Sequence, residues 1–145
     1  MSTAGFSLIE TLLSLALMGL LMGVALPSFE ITWLQSRRQD AHNSLLQLHL
    51  KQLQYRGLHA QYASSLADLG WPSSSSAMGH YVLSLDQVSA QTYALHAHVT
   101  GLQSRDMACS TMSLQVTENA RVQKTSSSDH SASPDQNEPG HCWPW

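Results

Sequence analysis

From Phe6 to Leu26 the chain is almost unbroken apolar side chain, Phe-Ser-Leu-Ile-Glu-Thr-Leu-Leu-Ser-Leu-Ala-Leu-Met-Gly-Leu-Leu-Met-Gly-Val-Ala-Leu, and Pro27 closes the run. At about 1.5 Å of rise per residue this makes a helix of about 31 Å, enough to cross the hydrocarbon core of a bilayer. No Lys or Arg interrupts it. A buried core helix or a cleaved secretory signal are the plainer alternatives. A secretory signal, however, carries a basic stretch before the apolar one and small residues at its cut. Met1 to Gly5 hold no Lys or Arg, and in Ala25-Leu26-Pro27 a proline follows directly. A spanning helix is therefore predicted. Glu10 is the one residue that a plain anchor does not explain. A carboxylate at the bilayer centre costs about 2.5–3.5 kcal/mol, so intramembrane acids usually have a partner. Either Glu10 sits shallowly, among headgroups, or its partner comes from another chain, because no cation of its own helix can reach it.

The remainder of the 145 residues suits one small domain. Leu34, Ala41, Leu45, Leu48 and Gln52–Tyr55 recur at helical spacing, which predicts an amphipathic helix to about Tyr55, with Arg37, Arg38, Gln39, His42 and Asn43 opposite the stripe. Leu66 to Pro72 and the serines Ser73–Ser76 read as a turn and a flexible loop. Tyr81, Leu83 and Leu85 alternate with polar or smaller residues, as do Tyr93, Leu95, Ala97 and Val99 with Ala94, His96 and His98. These two runs, joined by Asp86–Thr92, form an antiparallel pair, and Thr111 to Val116 supplies a third strand. The fold class is α+β: a long helix on a three- to four-stranded antiparallel sheet. Lys124 to Gly140 is rich in Ser, Asp, Asn, Gln and Pro and cannot fold alone. It nevertheless leads to Cys142-Trp143-Pro144-Trp145, an odd ending unless it is docked.

Gly5-Phe6-Ser7-Leu8-Ile9-Glu10, followed by the apolar helix, resembles the class III signal of type IV pilins and pseudopilins. The resemblance implies cleavage by a prepilin peptidase between Gly5 and Phe6, N-methylation of Phe6, and a role for Glu10 as the acidic fifth mature residue. That carboxylate would pair with the N-terminal ammonium of a neighbouring subunit and direct assembly. Leaders of the family usually carry a Lys or Arg, which Met1 to Ala4 do not. Gly19 and Gly23 form a small-xxx-small pattern of the kind that lets membrane helices approach closely, although glycine is common in such helices anyway. The expected parts are a leader over 1–5, a transmembrane and filament-core helix over 6–27, and a periplasmic head over 28–145.

Export places the head in an oxidising compartment, where Cys109 and Cys142 pair as one disulfide. In the chain-entropy model this closure contributes about 3–4 kcal/mol. It would bound an exposed loop over 109–142, the D-region of type IV pilins. Arg105-Asp106-Met-Ala-Cys109 and the terminal Cys142-Trp143 are similar to minor pilins of the PilE-like kind in the type IVa system. The fold implied is the pilin fold, with a membrane-spanning and an amphipathic half to its helix.

Eight histidines raise the question of a metal, and His80, His96 and His98 could approach one another across the hairpin. Lacking HxxxH, HExxH or CxxC, they read as surface histidines, and neither a metal nor another cofactor is expected. No nucleophile–base pattern or phosphate-cradling loop appears, so an enzyme is not expected, and Asp106 reads as a turn residue. A formal charge of −3 with seven Lys and Arg makes nucleic acid an improbable partner for this subunit. Arg37, Arg38, Lys51 and Arg56 mostly sit on the helix, while Asp129, Asp135 and Glu138 would repel phosphate. The predicted function is that of a minor pilin taking part in pilus assembly or priming, and so in twitching, adhesion or DNA uptake. Its partners would be other pilin subunits, the prepilin peptidase, the inner-membrane assembly platform and, before assembly, membrane lipid. It would sit in the inner membrane with its head in the periplasm and then in a surface pilus. A type II secretion pseudopilin shares the N-terminus, and a pilus-borne DNA- or surface-binding adhesin is the alternative from another class. The disulfide and the Cys-Trp end favour the pilus over the pseudopilin.

Overall fold

The computed structural model describes residues 7–128 and 142–143, with side chains at all of these except 24–28. One long helix, α1 (Leu8–Leu58), precedes four strands: β1 (Tyr81–Asp86), β2 (Tyr93–Val99), β3 (Thr111–Val116) and β4 (Val122–Ser127). Two short 3-10 turns, Gly101–Arg105 and Met107–Cys109, lie between β2 and β3. The chain divides into two compact units, one ending at Trp33 and the other beginning at Leu34.

In the first unit the carbonyl of Ser7 accepts from the amides of Glu10 and Thr11, which opens the helix. Glu10 lies in the first turn, where a negative charge complements the helix dipole. Thr11 Oγ1 donates to the Leu8 carbonyl and Ser14 Oγ to the Glu10 carbonyl, both at 2.8 Å. The hydroxyls of Thr11 and Ser14 are thus satisfied by their own helix.

In the second unit, Ala41, Leu45 and Leu48 are fully buried at spacings of four and three, the face that the sequence pattern gives. They meet the inner face of an antiparallel meander ordered β1-β2-β3-β4. Its register sets Leu83 opposite Ala97, Ala97 opposite Met112 and Leu95 opposite Leu114, so one apolar face runs across three strands. Tyr81 and Tyr93 complete this core and keep partners for their hydroxyls, Gln103 and His49 respectively. The helix therefore packs on a four-stranded sheet, the α+β arrangement expected, and it extends three residues past Tyr55 to Leu58.

Two local expectations change. The Ser73–Ser76 stretch is not a loose loop. Leu83 N donates to the Ser74 carbonyl at 2.6 Å, Trp71 Nε1 to the Ser75 carbonyl at 2.9 Å, and Ser76 Oγ to Asp40 at 2.6 Å. Asp40, buried on α1, also accepts from the amides of Met78 and His80, and Ser44 Oγ accepts from that of Ala77. A polar patch on the helix thus binds the segment ahead of β1, whose Gly79 takes φ +78, a conformation that favours glycine. The second change is β4, which begins two residues before the polar stretch at Lys124. Its Thr125, Ser126 and Ser127 are buried by pairing with β3 rather than by any apolar content of their own.

Candidate functional site: the apolar helix and the disulfide-closed edge

The first unit offers one surface. Leu8, Ile9, Leu12, Leu13, Leu15, Leu17, Met18, Leu20, Leu21 and Met22 are all exposed, and they fall on every side of the helix. A helix that is apolar all round belongs in the interior of a larger assembly or in lipid. Phe29, Ile31 and Trp33 continue the exposed apolar surface past Pro27. Among the described residues no helix is long and apolar enough to cross a membrane. Glu10 is exposed within this surface. Gly5 and Phe6, the predicted cleavage and methylation site, lie outside the described residues.

The second surface is built on the disulfide. Cys109 and Cys142 are joined, with their Cα atoms 5.7 Å apart, so the predicted pairing holds. The bond brings Trp143 against the inner side of β4. Its indole Nε1 donates to the Thr125 carbonyl at 2.9 Å, and its ring meets His42 edge-on at 5.5 Å. Lys124 Nζ lies 5.3 Å above the same ring, a cation–π arrangement. Burial, and secondarily the Lys124 charge, hold the His42 pKa below the usual histidine value. The Cys-Trp end is accordingly docked, and the helix, β4 and the disulfide meet around one indole.

Beside it lies a pair that sequence reasoning placed apart. Arg38 Nε and Nη2 donate to the two carboxylate oxygens of Asp106 at 2.7 and 2.8 Å. Gln103 Nε2 is within 3.2 Å of the Tyr81 hydroxyl and within 3.1 Å of both Asp106 and the Leu34 carbonyl. Gln103 is fully buried, and its Oε1 has no hydrogen-bond partner among the described residues. The hydrogen bond to Asp106 raises the Arg38 pKa, and burial, reinforced by Asp106, pushes the Tyr81 hydroxyl up to about 12. Arg38 therefore faces the head instead of solvent, and Asp106 does more than end a turn. No sequence signal links residues so far apart.

His96 and His98 stack at 6.1 Å on the outer face of the sheet, with their Nδ1 atoms 2.7 Å from Ser113 Oγ and 3.0 Å from Thr111 Oγ1. Among the described residues no group of three or more His, Cys, Asp or Glu is placed to hold a metal ion.

Charge is distributed unevenly. All seven Lys and Arg fall between Arg37 and Lys124. Over the same residues there are five acids, Asp40, Asp68, Asp86, Asp106 and Glu118, which leaves a local balance of +2 against −3 for the chain. Asp106 is buried with its partner Arg38, so those two charges offset each other, and Asp40 is buried as well. Arg121, at the turn into β4, and Lys124, within it, place two cations along the outermost strand of the sheet.

A family model described as type IV minor pilin ComP, DNA uptake sequence receptor, matches residues 27–113. No curated protein matches the chain.

Proposed function

The chain belongs to this family and is thus a type IV minor pilin, and on that premise we propose that it enters a type IV pilus through α1 and acts there in DNA uptake. The observation that carries the DNA part is the family match itself, whose description names a DNA uptake sequence receptor. The Arg37–Lys124 segment, with seven Lys and Arg against five acids, supports it, since phosphate contacts supply most of the affinity for duplex DNA, while the head over 28–145 as a whole is net −2. Against it stand the acids outside that segment, Glu30, Asp129, Asp135 and Glu138 of the head, the last three of which are expected to repel phosphate. The β4 edge is the favoured face, because Arg121 stands at the turn into the strand and Lys124 lies within it, over the docked Trp143.

The apolar helix is the proposed anchor. Before assembly it spans the inner membrane with the head in the periplasm, and in the pilus it packs among the helices of other subunits. Its all-round apolar exposure from Leu8 to Met22 supports this reading. Processing at Gly5–Phe6 by a prepilin peptidase, methylation of Phe6, delivery to an inner-membrane platform and a non-catalytic role belong to the same proposal. A pilus subunit accounts for the match better than a type II secretion pseudopilin does.

Fluorescence anisotropy of the segment from about Ser28 onward, titrated into a labelled duplex at several salt concentrations, tests the DNA role. Binding should weaken with salt, and Arg121→Gln with Lys124→Gln together should reduce the magnitude of the log–log salt slope by about two. A salt-insensitive signal, or no binding at micromolar protein, would remove the receptor reading and leave the pilin assignment in place.

A further inference from the structure

The β3–β4 hairpin ends clear of the core. Every residue from Glu118 to Gln123 is exposed, and Val122, although paired with the buried Val116, keeps 42% of its surface. Farther along the strand, Thr125 to Ser127 are buried. The projecting end is nevertheless firmly shaped. Thr117 N and Oγ1 donate to the Arg121 carbonyl at 3.1 and 3.3 Å, and Ala120 N donates to the Thr117 carbonyl at 2.8 Å. Ala120 takes φ 55, a left-handed conformation that turns the chain back into β4. Register sets Gln115 opposite Gln123, on the face turned away from Leu114, Val116 and the core. The end of this two-stranded ribbon thus gathers Gln115, Glu118, Asn119 and Gln123 within a few residues of the cation Arg121.

These are the side-chain types that read base edges. Asn and Gln pair bidentately with adenine N6 and N7, Glu accepts from the cytosine N4 amino group, and the major groove admits a two-stranded β-ribbon. We propose that the β3–β4 hairpin enters the major groove of duplex DNA, with Asn119 and Gln123 on adenine edges, Glu118 on a cytosine amino group and Arg121 on the flanking phosphates. This rests on the DNA role proposed above, and the family match, which ends at residue 113, assigns the hairpin nothing. Glu118 separates the two ways in which the hairpin can meet DNA. Laid along the backbone, the acid would repel phosphate and lower the affinity for every sequence alike. Inside the groove it contacts one base instead. Arg121 and Lys124 by themselves supply charge without sequence, and the amides supply what they lack.

The experiment uses the full chain in micelles of a neutral detergent to select duplexes from a random library, and competition anisotropy to rank what is retained. The selected duplexes should share a short motif. Methylation of guanine N7, a major-groove atom, within that motif should block binding, whereas methylation of adenine N3 in the minor groove should not. Asn119→Ala and Gln123→Ala should each weaken the preference for one base pair by about tenfold, with binding to unselected duplex unchanged. Glu118→Gln should relax the preference for cytosine at one position. All three side chains are exposed, and unchanged circular dichroism verifies that each variant folds. No binding of any duplex by the unsubstituted chain would overturn the DNA role, and this inference with it. Binding without a shared motif, or a motif that all three variants retain, would overturn the inference alone and leave the DNA role standing. So would a Glu118→Gln variant that binds every duplex more tightly by the same factor, since the hairpin would then lie along the backbone. Interference from adenine N3 instead of guanine N7 would put the contact in the minor groove and overturn it as well.

Discussion

Arg38 and Asp106 stand 68 positions apart in the chain and 2.7 Å apart in the head, with side chains 12% and 4% exposed. Such a pair contributes little net stability against apolar replacements, but removing one partner leaves the other charge largely buried without the counter-charge that offset its desolvation. Asp106→Ala should therefore cost about 3–5 kcal/mol in urea unfolding, and Arg38→Met combined with Asp106→Leu should cost much less than either single change suggests. Equal costs for single and double variants would show that the two charges do not act as a unit. Asp40 works in the same way on a smaller scale. Its carboxylate holds Ser76, Met78 and His80, and so converts a serine-rich stretch into an ordered lead-in to β1. Neither role was legible beforehand, because an aspartate ahead of a turn and an aspartate on a helix look alike whether they are solvated or buried.

At the scale of elements, β4 depends most on what lies outside itself. The strand Val-Gln-Lys-Thr-Ser-Ser has one large apolar residue, and its order comes from β3 on one side and the Cys109–Cys142 bond with Trp143 on the other. Closing a loop of sequence separation 33 contributes about 3–4 kcal/mol in the chain-entropy model. Reduction, or Cys142→Ser, should remove about that much stability and shift the Trp143 emission to the red as the indole leaves its pocket. Hydrogen exchange should then rise first in β4, while β1 to β3 stay protected. Uniform loss of protection across all four strands would mean that the disulfide supports the whole sheet instead. The three inner strands need no such help, since their alternating apolar faces meet Ala41, Leu45 and Leu48 directly.

At the scale of the whole molecule, the proposed assembly contact is that of Glu10. It is an exposed acid in the first turn of a helix that is otherwise apolar all round, and the proposed partner is the amino terminus of a neighbouring subunit. Glu10→Ala should leave membrane insertion unchanged, since it removes a charge from the apolar run, yet reduce recovery of the subunit in sheared pili. Immunoblots of membrane and pilus fractions would separate the two effects. Normal recovery in pili would show that assembly does not need this carboxylate.

The sequence by itself determined the features that repeat or that have no alternative. Apolar periods marked α1 and β1 to β3, an apolar run with one acid marked the N-terminal segment, and two cysteines admitted one pairing. Hydrophobic burial is read by period, and period survives in one dimension. Only the tertiary structure decided which polar residues are interior. Arg38, Asp40, Gln103 and Asp106 are buried because partners distant in sequence satisfy them, and β4 exists because a neighbouring strand and a docked indole complete it. Charge divides in the same way: the +2 of the Arg37–Lys124 segment is legible in the sequence, whereas the burial of Asp40 and of Asp106 with its partner Arg38 is decided only by the tertiary structure.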